Sequence, residues 1–283
     1  MTAKILDGKK VAQKVFDSLR KEISSRDPKP RLAIIRVGDN PASKIYTSLK
    51  KKRSEEIGIN TEIYSFQENI NEKDLLSRIK EKEAISEGII VQLPLPRNLD
   101  EKKILNAVDP QKDVDGFTAV NLGKLLQGEE KLVPATPKGI IRLLEEYNLS
   151  LEGKRVVIVN RSVIVGKPLV ALLLNRGATV TICHSQTKNV AEHTRNADVL
   201  ISAVGKSKFI TSEMVKEGAV VIDVGISKEE GRIVGDVDFE EVLNKASYIT
   251  PVPGGVGPMT VAMLLENVML AQSFYNKFKK VKK

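Results

Sequence analysis

Tryptophan is absent from this 283-residue chain, cysteine occurs once, histidine twice, and aromatic residues make up only 4%. The lone Cys183 excludes an intrachain disulfide and fits a reducing compartment. With only His184 and His193 beside it, the chain lacks the ligands for a histidine/cysteine zinc centre, and no metal is expected. No apolar run approaches the ~20 residues a membrane-spanning helix needs. Residues 1–8 lack the apolar block of a secretory leader. The expectation is a cytoplasmic protein with no membrane partner.

Acidic residues are outnumbered, 36 against 45 Lys and Arg, for a net charge of +9. Much of the excess sits at the end, in Lys277-Phe278-Lys279-Lys280-Val281-Lys282-Lys283, which reads as a solvated helix end. Without tryptophan or a recognisable module, a nucleic-acid partner is not expected. The positive field favours anionic small molecules instead.

What the chain has is α/β alternation, long enough for two domains. Apolar spacing predicts a helix over 8–25, strands at 32–37, 60–66 and 88–93, and helices around Tyr46 and over 71–84. Strand–helix–strand repetition implies a parallel sheet with helices on its faces. Pro134-Ala135-Thr136-Pro137-Lys138-Gly139 marks a break, and residues 139–147 read as a linking helix. A second series follows, with strands at 155–159, 179–183, 199–203, 219–224 and 247–250 and a last helix at about 259–276. The division expected is 1–137, completed by a C-terminal helix over 259–283, and 138–258 as a Rossmann-like unit.

Tyr46 and Lys50 stand at i and i+4 and so share one helical face. Facing a pocket, such a pair could hold a planar ring and move protons. Facing water, beside Lys51-Lys52-Arg53, it would be ordinary surface. In the second series, Val159-Asn160-Arg161-Ser162-Val163-Ile164-Val165-Gly166 is a strand, a turn and a helix start, where a Rossmann unit binds a pyrophosphate. Asn160 and Ser162 replace the first two glycines of the usual pattern, and Asn160 is expected to tolerate a left-handed turn. The next strand ends in His184-Ser185-Gln186-Thr187-Lys188, with no acid to bind a ribose 2′-hydroxyl. Hydroxyls and cations there, with Arg161, predict NADP rather than NAD. Two more stretches are stiff and rich in proline or glycine: Val91-Gln92-Leu93-Pro94-Leu95-Pro96 and Pro251-Val252-Pro253-Gly254-Gly255-Val256-Gly257-Pro258.

Taken in order, Tyr46…Lys50, VQLPLP, KDVDGF, the proline break, NRSVIVGKP, CHSQT, GDVDF and PGGVGPMT closely resemble the bifunctional methylenetetrahydrofolate dehydrogenase/methenyltetrahydrofolate cyclohydrolase family over nearly the whole chain. The resemblance implies two α/β domains flanking a cleft. It implies oxidation of 5,10-methylenetetrahydrofolate with NADP, then hydrolysis to 10-formyltetrahydrofolate, in a homodimer. Tyr46 would pack on the folate, Lys50 would be the central catalytic group, Gln92 would hold Lys50, and Asp115 would bind the pterin. Val91, Leu93 and the loop Pro253, Gly254, Gly255, Val256 and Gly257 would line the substrate. Asn160, Arg161, Ser162, Ser185 and Ile226 would contact the cofactor. Desolvation and the cations at 51–53 would tune Lys50 for proton transfer. The Tyr-x-x-x-Lys pair of short-chain dehydrogenases follows the dinucleotide turn, whereas here it precedes that turn by more than a hundred residues. A basic nucleic-acid-binding protein without catalysis is the other rival, disfavoured by intact Tyr46, Lys50, Gln92 and Asp115.

Overall fold

A computed structural model describes residues 2–281, and the side chains of 275–281 fall outside the description. The expectation of a solvated basic end concerns residues outside it. Along the chain run β1 (Lys4–Ile5), α1 (Gly8–Ser24), β2 (Arg31–Val37), α2 (Pro41–Glu56) and β3 (Asn60–Phe66). Next come α3 (Glu72–Ile85), β4 (Gly88–Val91), α4 (Glu101–Ala107), α5 (Ala119–Leu126) and α6 (Ala135–Glu146). They are followed by β5 (Arg155–Val159), α7 (Gly166–Leu174), β6 (Thr179–Cys183), α8 (Val190–Thr194) and β7 (Val199–Ser202). The series closes with β8 (Val220–Asp223), β9 (Ser227–Glu229), β10 (Arg232–Val234), α9 (Phe239–Leu243), β11 (Tyr248–Ile249) and α10 (Val256–Val281).

The chain forms two compact units, each discontinuous in sequence: residues 14–135 with 261–283, and 1–13 with 136–260. This differs from the expected division at the N-terminus. β1 pairs in parallel with β11, Lys4 beside Tyr248, which takes the first residues into the second unit. A two-residue strand is too short to leave a periodic signal in sequence.

The first unit holds a parallel sheet in the order β3-β2-β4, with Ile35 level with Tyr64 and Val91. Every residue of β4 is buried although it ends the strand order, its outer edge being met by the 112–113 segment, where Ile89 N donates to Lys112 O at 2.8 Å. A core of Ala33, Ile35, Val37, Leu75, Ile79, Ile89 and Ile104 packs on this sheet. The strand expected over 88–93 stops at Val91, because Pro94 has no N–H for a ladder. α10 begins at Val256, three residues before the expected start; Pro258 lies in its first turn, where its missing N–H costs nothing. Pro137 lies in the first turn of α6 in the same way.

The second unit is a six-stranded parallel sheet in the order β1-β11-β8-β7-β5-β6. From β5 the chain steps outward to β6, then returns to the far side of β5 as β7. The strand order therefore reverses between β5 and β7, and open α/β sheets bind ligands beyond the C-terminal ends of strands at such a point. A β9–β10 hairpin turns at Glu230-Gly231, both at positive φ as a tight two-residue turn demands. The sequence reading passed it by, along with α4 and α5.

Candidate active site

α2 is an inverted helix. Asn40 caps it by accepting from Ser43 N at 3.1 Å, and Pro41 opens its first turn. Its buried residues are Ser43, Thr47 and Ser54. Thr47 Oγ1 donates to Ser43 O at 2.8 Å, and Ser54 Oγ lies 2.6 Å from Thr61 Oγ1. The larger apolar side chains face outward, with Ile45 60%, Tyr46 41% and Leu49 40% exposed. A helix stabilised only by packing turns such residues inward. Here they are left for something else to cover.

Lys50 sits one turn beyond Tyr46 with its side chain 14% exposed. Its Nζ donates to Gln92 Oε1 at 3.1 Å and lies 4.0 Å from Asp115 Oδ1. Gln92 is fixed at both ends: its N donates to Ile35 O at 2.8 Å, continuing the sheet, and its Nε2 donates to Leu93 O at 2.8 Å. That second bond leaves Oε1 as the atom facing the lysine. Leu93 O also accepts from Ser43 Oγ at 3.4 Å, and Val91 is the buried last residue of β4. Lys50, Gln92 and Asp115 are thus brought together as the sequence suggested, with Tyr46 on the same face. Lys51 pairs with Glu55 at 3.6 Å and Arg53 with Glu56 at 2.8 Å, so each carries its own counter-ion.

Asp115 is presented by a turn that a second carboxylate builds. Asp113 Oδ1 accepts from Gly116 N at 2.9 Å, and its Oδ2 accepts from Thr118 N at 2.8 Å and Asn121 Nδ2 at 3.0 Å. Gly116 has φ of +74°, and a Cβ there would lie 2.7 Å from Pro134 N. From α10, Asn267 Nδ2 donates to Val114 O at 2.9 Å and Val133 O at 2.8 Å. Burial pushes the Asp115 carboxyl above its ordinary value, with Lys50 opposing the shift and Asp113 adding to it. Sequence reasoning named Asp115 but missed Asp113 and Asn267. The Asp-x-Asp-Gly pattern signals the first as a turn-forming carboxylate. Nothing local signals an asparagine so far along the chain.

In the second unit the loop 253–257 packs on the start of α1. Lys9 N donates to Gly254 O at 3.0 Å, and a Cβ on Gly8 would fall 1.8 Å from Gly255 O. Pro253 precedes Gly254, whose φ is +120°, while Val256 and Gly257 already belong to α10.

At the reversal of strand order, Asn160 works through its side chain. Its Oδ1 accepts from Ser162 N at 2.8 Å and Gly166 N at 3.1 Å, and its Nδ2 donates to Ala203 O at 2.5 Å. It is not among the residues at positive φ, so the expected left-handed turn is corrected. Ser162 Oγ accepts from Val165 N at 3.1 Å, and Ser162 O from Lys167 N at 2.9 Å. The first amides of α7 therefore have internal acceptors, and side chains are left to meet an anion. Arg161 Nη1 reaches Gln186 Oε1 at 3.2 Å, which sets it beside the 184–187 turn. That turn is closed by His184 N donating to Thr187 Oγ1 at 2.9 Å, and it leaves Ser185 exposed. An exposed cation with hydroxyls, and no carboxylate at the end of β6, is a donor set suited to a phosphate. Ile226 is 47% exposed just beyond β8. Among the described residues no group of acidic, histidine or cysteine side chains could hold a metal ion.

Residues 6–115 match the model for the tetrahydrofolate dehydrogenase/cyclohydrolase catalytic domain, and residues 134–276 the model for the NAD(P)-binding domain of the same family. The bifunctional protein FolD of Nautilia profundicola is 52% identical over 279 residues, covering 96% of this chain and 98% of that one. The crystal structure of the bifunctional FolD methylenetetrahydrofolate dehydrogenase/cyclohydrolase from Campylobacter jejuni is similar with a TM-score of 0.93 at 48% identity, over 96% of this chain and 99% of that one. The Trypanosoma brucei methylenetetrahydrofolate dehydrogenase-cyclohydrolase, solved with NADP and an inhibitor, is similar with a TM-score of 0.91 at 36% identity, over 96% of this chain and 97% of that one.

Proposed function

The chain belongs to the tetrahydrofolate dehydrogenase/cyclohydrolase family, and on that premise we propose how its residues divide the work. It is a bifunctional enzyme of one-carbon folate metabolism. It oxidises 5,10-methylenetetrahydrofolate to the 5,10-methenyl cation with NADP, then adds water to give 10-formyltetrahydrofolate. The observation that carries the assignment of roles is Lys50, held by Gln92 at 3.1 Å beside Asp115, on the outward face of α2.

Tyr46 is the platform on which the planar pterin lies, with Ile45 and Leu49 continuing the apolar strip. Asp115 accepts from the pterin's amino and ring N–H groups. Val91 and Leu93 shape the wall next to Gln92. NADP, when bound, supplies the hydride acceptor; Asn160, Arg161, Ser162, Ser185 and Ile226 hold it, with Arg161 and Ser185 on the 2′-phosphate. The oxidation then needs positioning above all. Hydration of the methenyl carbon needs a proton removed from the attacking water and another delivered as the ring opens. Lys50 is the group for both transfers, its Nζ aimed by the Gln92 carbonyl. The enzyme is cytoplasmic and a homodimer in this reading. Among the described residues no helix is long and apolar enough to cross a membrane.

The test is one cuvette. Methenyl formation from methylenetetrahydrofolate is followed with NADP and with NAD in parallel, and then the decay of the methenyl absorbance. Faster formation with NADP followed by enzyme-dependent decay is expected. Higher efficiency with NAD would overturn the assignment of the 2′-phosphate to Arg161 and Ser185.

A further inference from the structure

Two buried carboxylates in the second unit take no part in this chemistry. Asp236 is 0% exposed, yet both its oxygens are occupied. Oδ2 accepts from Ser202 Oγ at 2.8 Å and Val204 N at 2.6 Å, and Oδ1 accepts from Lys206 N at 2.9 Å. Asp223 stands behind it. Asp223 Oδ1 accepts from Gly225 N at 3.1 Å and Asp236 N at 2.9 Å, and its Oδ2 from Val237 N at 2.9 Å. One acid thus fixes the backbone of the other, and the second fixes the loop that ends β7.

Glycines make the room. A Cβ on Gly225 would lie 1.9 Å from Asp236 Oδ1, and one on Gly235 would lie 2.0 Å from Asp223 Oδ2. Neither is among the glycines at positive φ, so space rather than backbone conformation excludes a side chain. Burying a carboxylate is costly unless its oxygens are hydrogen-bonded. Here three of the six donors, the amides of Val204, Lys206 and Gly225, lie just past the ends of β7 and β8, in the loops that carry Val204 and Ile226. The Asn160–Ala203 bond ties the end of β5 to the same loop. The ends of β5 and β7 flank the reversal of strand order, and β8 lies next to β7.

We propose that Asp236 is a positioning residue for the dinucleotide: it sets the loop beyond β7 against which NADP lies, and its loss weakens cofactor binding without touching the chemistry at Lys50. This rests on the second unit being the NADP site.

The variant is Asp236→Asn in the full-length protein. It keeps the shape but replaces one acceptor oxygen with a donor. NADP affinity is measured by calorimetry, the dehydrogenase by the Michaelis constants for both substrates, and methenyl hydrolysis without any cofactor. The expected result is a rise of about tenfold in the Kd and KM for NADP, the size of losing a hydrogen bond to a charged group. Hydrolysis and the KM for folate stay within about twofold of wild type. An unchanged NADP Kd, or a parallel fall in hydrolysis, overturns the proposal. Ser202→Ala removes one donor and leaves the carboxylate, so it decides the matter if Asp236→Asn does not fold. About threefold weaker NADP binding is then expected, and wild-type affinity overturns the role. Wild-type protein inactive in both assays would overturn the functional reading itself, whatever the variants do.

Discussion

Lys50 is aimed by a carbonyl oxygen and checked by a carboxylate, while Lys51 and Arg53 pair with Glu55 and Glu56. Removing the amine at constant bulk isolates its part. Lys50→Met is expected to lower cyclohydrolase kcat by about a hundredfold or more, the usual worth of a positioned proton-transfer group, with the fold intact by circular dichroism. Hydrolysis at the wild-type rate would refute the assignment. Asp223 offers a second residue-scale test. Burial outweighs its three hydrogen bonds and pushes its carboxyl up to about 6 from an ordinary 3.8. The folded chain therefore holds a proton that the unfolded chain has lost between those values. Stability from this group is full below 3.8 and declines as pH rises through about 6. In urea unfolding, the stability of wild type minus that of Asp223→Asn should be greater at pH 5 than at pH 8, by about 1.4 kcal/mol. A difference of the opposite sign would show that the amide bonds win over desolvation.

Among the elements, α2 shows how far the sequence could be read. The helix around Tyr46 and its i, i+4 pair are local features and were legible. The burial of Ser43, Thr47 and Ser54 was not, because it depends on hydroxyls finding acceptors such as Ser43 O and on Thr61 from the next strand. The central strands were read to within about a residue, since parallel buried strands announce themselves as apolar runs. β1 is only two residues long, and its pairing with β11, which was expected within 247–250, comes from tertiary contact. The grouping of Lys50 with Gln92 and Asp115 was legible only through the order of motifs along the chain; no spacing rule links them. α10 supplies the element-scale prediction. Asn267→Leu leaves the carbonyls of Val114 and Val133 without their buried donor, an expected loss of about 2–4 kcal/mol in urea unfolding. It should also raise the KM for folate, because Val114 adjoins Asp115. An unchanged midpoint would show that water takes the place of the amide.

At the scale of the molecule, composition set the class and the connectivity came from elsewhere. An α/β fold with a parallel sheet in each unit follows from alternating apolar runs and helical spacing. That each unit is assembled from two separate stretches does not, since no property of residues 1–13 points to β11. The net charge of +9 suits a protein whose substrates are anions. Discontinuity also has a consequence in time. Chains are synthesised from the N-terminus, and domains tend to fold as they emerge. The first unit cannot do so, for the amide that satisfies Val133 O and Val114 O arrives 134 and 153 residues after them. Until Asn267 leaves the ribosome, the turn bearing Asp115 has its backbone open to solvent. The Asp115 carboxylate is then among the last parts of the nascent enzyme to be set.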